Sequence, residues 1–112
     1  MSRERMIRVP KDVKAMYDFD YGVQGSDQME EVVLTEEEFI ELDSIGVFDL
    51  INEKCQVIID DYEEEIIELE KIPVALEVIK QLRNECTSES LINLKKLFEK
   101  ALEYKTLVSF EF

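Results

Sequence analysis

Two acidic segments of this sequence concentrate side chains that are able to do chemistry. Asp60 to Glu70 reads "DDYEEEIIELE", with five acids in its first six residues and no base before Lys71, and Asp18 to Tyr21 reads "DFDY". Dense carboxylates suit three tasks: coordinating a hard cation, paired acid and base work on a glycoside, or capturing a cationic partner. Spacing argues against the first. A calcium loop counted from Asp18 puts Asp20 correctly at its third position, but Val23 falls where the turn glycine belongs and Met29 where the bidentate glutamate belongs. From Asp60 to Glu68 no turn sequence gathers the carboxylates around a point, so no metal is expected. A chain of 112 residues also leaves little room for a sugar cleft.

Other chemistries are removed by what the chain lacks. It has no histidine, which takes away the usual base near neutral pH, the Ser-His and Cys-His nucleophile pairs and the commonest transition-metal ligand. The close glycines Gly22 and Gly25 are followed by neither G-K-[ST] nor a third glycine, so no phosphate-cradling loop is present. Cys55 and Cys86 stand far apart without a C-x-x-C pair and read as buried free thiols in a reducing compartment. The expectation is a protein that is not an enzyme and uses no cofactor.

Binding is what remains. The net charge of -14 at pH 7 repels nucleic acid and anionic membranes and attracts cationic protein surfaces. The candidate partner-binding residues are therefore Asp60, Asp61, Tyr62, Glu63, Glu64, Glu65 and Glu68, followed by Asp18, Asp20 and Tyr21. Tyr62 is the one aromatic residue inside the acidic run, and tyrosine is enriched at binding hot spots.

These residues need a scaffold, and 112 residues with 46% hydrophobic content suffice for a single cored domain over 1–112. Ile7 and Val9 alternate around Arg8 before Pro10, a short strand, and Val13, Met16 and Tyr17 then fall at helical spacing. Asp18 to Gln28 reads as a strand entering a loop. Thr35 and Glu38 form a capping-box pattern that starts a helix at Glu36, with Phe39, Leu42 and Ile45 inward and a bend at Gly46 before "VFDLINEKC". Asp60 or Asp61 offers an N-cap to a further helix, on which the acids at 60, 61, 64, 65 and 68 share one face opposite Tyr62, Ile66 and Leu69. A helix beginning at Pro73 buries Val74, Val78 and Leu82 beside Ala75, Ile79 and Cys86. The next helix turns Leu91, Leu94, Phe98 and Ala101 inward and Lys95, Lys96 and Lys100 outward. "TLVSFEF" closes as a strand with Val108, Phe110 and Phe112 on one face. The fold class is α+β, with helices packed on a small sheet of N-terminal strands and a C-terminal strand.

The run "LINEKCQVIIDDYEEEIIELEKIPVALEVIKQL", Leu50 to Leu82, resembles the central part of small immunity proteins of bacterial contact-dependent inhibition and polymorphic toxin systems. The resemblance implies an antidote that binds and neutralises a cognate basic toxin domain, often a nuclease, and blocks its active site or substrate surface. The alternative is a nucleic-acid-mimic inhibitor of a DNA- or RNA-binding protein, such as a phage-encoded one. "MSRERMIRVP" lacks the apolar run of a secretory signal, and no window approaches the roughly 20 apolar residues of a membrane helix, so a cytoplasmic location is expected.

Overall fold

A computed structural model describes residues 4–112, so Met1 to Arg3 of the N-terminal stretch read above lie outside it. Four antiparallel strands form one sheet in the order β2-β1-β4-β3: β1 (Arg5–Pro10), β2 (Met29–Leu34), β3 (Glu64–Glu68) and β4 (Leu107–Glu111). The helices are α1 (Val13–Asp20), α2 (Glu36–Ile45), α3 (Val47–Cys55), α4 (Ile72–Glu85) and α5 (Glu89–Tyr104). This is the α+β arrangement of helices on a small sheet that the hydrophobic periodicity implies.

Strand alternation sends Ile7, Val9, Leu34, Ile67, Val108, Phe110 and Phe112 to one side of the sheet, where all are buried. Leu42, Val47, Phe48, Ile51, Ile72, Ala75, Ile79, Leu91, Leu94 and Phe98 close the core against them. Aromatic rings concentrate at the C-terminal strand: Phe112 meets Phe39 and Phe48 edge-on at 5.3 and 5.4 Å, and Phe110 lies 6.0 Å from Phe98. Burial of both phenylalanines fixes the end of the chain in the middle of the fold.

Local signals act as their chemistry dictates. The Thr35 hydroxyl accepts from Glu38 N–H at 3.1 Å while the Glu38 carboxylate accepts from Thr35 N–H at 2.9 Å, starting α2 at Glu36. Gly46 ends it at φ +88°, a conformation that strains any residue with a Cβ, and α3 starts directly after. α4 carries its proline in the first turn and α5 is capped by Ser88, whose hydroxyl accepts from Leu91 N–H.

Several expectations are corrected. No helix follows Asp60; the chain turns there and Glu64–Glu68 pairs with β4, because Ile67 finds a buried place opposite Val108. Asp18 and Asp20 end α1 instead of lying in a strand and loop, since the Asp12 carboxylate accepts from Ala15 N–H at 2.7 Å and nucleates a helix there. The inward residues of that helix are Ala15, Met16 and Phe19, while Val13 and Tyr17 are exposed, and in α4 Val74 is exposed while Ile72 and Leu76 are buried. The cysteines are both free, with Cys55 buried and its thiol pushed up by that burial, and Cys86 only half-buried.

Candidate partner-binding site

The acidic run divides at Tyr62. Before it, Asp60 and Asp61 form a turn: Asp60 accepts Asp61 N–H on its side chain at 2.8 Å and Glu63 N–H on its carbonyl at 3.3 Å, and Tyr62 sits at φ +65° with its ring exposed. Asp61 receives Arg5 in a two-point grip, Nε to Oδ1 and Nη2 to Oδ2, both 2.9 Å. Arg5 is only 8% exposed; its remaining nitrogen, Nη1, donates to Glu36 at 2.5 Å, and its guanidinium lies 4.0 Å from the centre of the Phe39 ring. The hydrogen bonds to Asp61 and then to Glu36 raise its pKa above the ordinary value. Asp61 is thus a structural carboxylate that ties the start of β1 to the turn before β3, and not a free contact.

After Tyr62 the strand sorts the acids by parity. Glu65 faces the helices, where its carboxylate accepts Ile58 N–H at 2.8 Å. Glu64, Ile66 and Glu68 face the other side of the sheet, all exposed, in register with Glu111, Ser109 and Leu107 of β4. Arg8 lies in the middle of this second face and is occupied by Glu111 at 2.7 Å and Glu31 at 3.8 Å, beneath the Phe19 ring at 5.0 Å. That contact seats α1 over the β1 side of the face.

Between α1 and β3 a groove of about 590 Å³ is left open. Met16, Tyr17, Phe19 and Asp20 form its α1 wall; Glu64, Ile66, Glu68, Leu69 and Glu70 form the opposite wall; Lys105, Thr106 and Leu107 lie between. The two acidic segments, remote in sequence, therefore meet across one groove. A shallower hollow of about 230 Å³ continues from it past the end of the sheet, lined by Glu4, Tyr62, Glu63, Glu64, Glu111 and Phe112. Asp20, Glu63, Glu64, Glu68 and Glu70 are in no ion pair among the described residues. The result is a band of uncompensated carboxylates along β3.

The remaining candidates fall outside the band. Asp18 accepts Lys14 Nζ at 2.8 Å and Gln28 Nε2 at 2.9 Å, and the Gln28 bond, then the Lys14 bond, hold its carboxyl below the usual carboxylate range. Tyr21 is exposed just beyond α1. Phe19, between Asp18 and Asp20 in the sequence, is half-buried on Arg8. Sequence reasoning missed Glu70, Ile66 and the groove residues Met16 and Leu107. Reading "EEIIE" with a period of two would have put Ile66 between Glu64 and Glu68 on one face. Among the described residues no group of three or more metal-ligating side chains is arranged to hold an ion, and no helix is long and apolar enough to cross a membrane.

Neither a protein-family model nor a curated protein sequence matches the chain. A search of solved structures finds the Neisseria DNA mimic protein DMP12, superposing with a TM-score of 0.66 at 20% sequence identity over 98% of this chain and 100% of that one. The two chains share a fold. This likeness overturns the expectation of an immunity protein neutralising a toxin domain, since the whole-chain match is to a DNA mimic. The Leu50 to Leu82 run that suggested it is spread over α3, the Asp60 turn, β3 and α4, and its acidic segment has a different secondary structure from the one assumed.

Proposed function

We infer that this chain is a nucleic-acid mimic: it binds the DNA- or RNA-contacting surface of a basic protein and competes with the nucleic acid for it, without catalysis of its own. The observation that carries this reading is the band of unpaired carboxylates from Glu70 through Glu68 and Glu64 to Glu63, faced by Asp20. A surface evolved to grip phosphates is a row of lysine and arginine whose counterions are released on binding. Carboxylates displayed at strand spacing, with Glu64 and Glu68 roughly 13 Å apart on one face, offer that row a fixed anionic lattice. Pairing of Asp61, Glu31, Glu111 and Asp18 with arginine or lysine keeps the scaffold rigid while leaving the band charged. The whole-chain likeness to a DNA mimic and the absence of histidine both support the reading. Its natural setting is the cytoplasm, where nucleic-acid-binding proteins work.

The test is capture on the immobilised chain followed by elution with a short DNA or RNA duplex at constant ionic strength. The captured proteins should bind nucleic acid on their own and should leave the chain as duplex is added. Proteins that stay bound in excess of both duplexes, or that have no affinity for nucleic acid, overturn the proposal.

A further inference from the structure

Charge alone does not require a groove. The acidic band would attract a basic surface equally well if the sheet face were flat, yet Met16 and Phe19 on one side, Ile66 on the other and Leu107 between them leave an apolar interior between rows of carboxylate. Ile66 is 40% exposed and stands on its strand between Glu64 and Glu68; Leu69 is exposed beside Glu70. We propose that this groove receives a cationic segment of the partner that carries an apolar side chain between its lysines or arginines, the apolar group entering against Ile66 and Leu107 while the flanking cations meet Glu64, Glu68, Glu70 and Asp20. The proposal rests on the mimic reading and adds the anchor that decides which basic proteins are held.

Charge complementarity selects this occupant. Four carboxylates against the single cation Lys105 exclude an anionic ligand. An uncharged apolar molecule would bury the interior and leave the rims without partners. A second copy of the chain brings its own charge of -14, and its cationic patch around Lys80, Arg83 and Lys95 is a shallow hollow on the helices with no apolar residue to insert. A mixed segment satisfies both parts of the groove. Cations steer and speed the encounter, and the apolar anchor slows the departure.

Two synthetic peptides of equal charge, arginine- and glycine-rich with either leucine or serine at the centre, test this by fluorescence anisotropy against the full chain. The leucine peptide should bind about tenfold more tightly, equivalent to about 1.4 kcal/mol. Ile66→Thr, which keeps a β-branched residue in the strand, should abolish that advantage and leave the affinity for the serine peptide unchanged. Methyl shifts of Met16 and Leu107 on adding the leucine peptide should report the site directly. Equal affinities for the two peptides overturn the proposal, as does a leucine preference that survives Ile66→Thr. Concentration-dependent dimerisation that Ile66→Thr abolishes and that excludes the leucine peptide assigns the groove to a second copy and also overturns it. Failure here with duplex elution still observed leaves mimicry standing without the anchor; a leucine preference without duplex elution removes mimicry and keeps the groove.

Discussion

Asp61 and Glu64 are three residues apart in one acidic run, and the fold uses them in opposite ways. Asp61 is held at two points by a nearly buried arginine and serves the interior. Glu64 stands on the outward face of β3, in no ion pair among the described residues, and contributes to the external field. Density of charge in a sequence thus says how much field a protein has to spend, whereas the position of a few arginines decides which carboxylates remain to spend. Arg5 and Arg8 neutralise the Asp61 turn and the centre of the sheet face, and what they leave is the β3 band.

Removing Asp61 is the strongest way to break the contrast. Asp61→Ala leaves a guanidinium 8% exposed with Glu36 as its ion partner, and should cost about 2–4 kcal/mol in urea unfolding while leaving association with a cationic peptide unchanged. An unaltered unfolding midpoint would mean that the grip on Arg5 contributes nothing. The converse pair, Glu64→Gln with Glu68→Gln, should slow association roughly three- to tenfold at low salt and flatten its salt dependence, as charges at an interface rim act on the on-rate. Its stability should stay within about 0.5 kcal/mol of the parent. Stopped-flow mixing at several ionic strengths gives the first quantity and urea unfolding the second.

Glu65 tests the parity of the strand. Because its carboxylate accepts Ile58 N–H on the helix side, Glu65→Ala should lose about 0.5–1.5 kcal/mol of stability and change the on-rate less than either outward neighbour does. The smallest effect concerns Asp18. Its carboxyl is lowered in the fold, so its contribution is present above the ordinary value of 3.8 and disappears as the pH falls below that toward the folded value. Asp18→Asn should therefore make the acid limb of a circular-dichroism titration less steep below that pH, without altering the neutral baseline.

The parts of the fold that were legible are those where local chemistry and tertiary packing agree. Thr35 with Glu38, Gly46, Ser88 and the alternation of Val108, Phe110 and Phe112 each specify one conformation by themselves. The acidic run was not legible because its local and global preferences diverge. Glutamate favours helix and is depleted in strands, and three acids after Asp61 resemble a charged helix start. The deciding contacts, Ile67 against Val108 and Glu65 against Phe110, come from the far end of the chain. The alternation of Asp18, Phe19, Asp20 and Tyr21 misled in the other direction, since Phe19 turns toward Arg8 from a helix. Of the candidate site, the residue types were readable and their grouping was not: the groove exists only once α1 and β3 lie on either side of β4.

β3 also lies at the margin of the sheet, with β4 on one side and, among the described residues, no strand on the other. Glu63 accepts Phe112 N–H, so by the alternation of an antiparallel ladder the peptide groups of Glu64, Ile66 and Glu68 point outward, although the Ile66 N–H is already taken by the Glu65 carboxylate at 3.0 Å. Such a border is a template on which another chain can zip, and Ile66, Ile67 and Leu69 would feed the growth of stacked sheets. Carboxylates at 64 and 68 make every like copy repel at that border, acting as gatekeepers. Acidification, or neutralisation of both positions, should then lengthen no complex but shorten shelf life: turbidity and amyloid-dye signal rise in the double glutamine variant at concentrations where the parent stays clear.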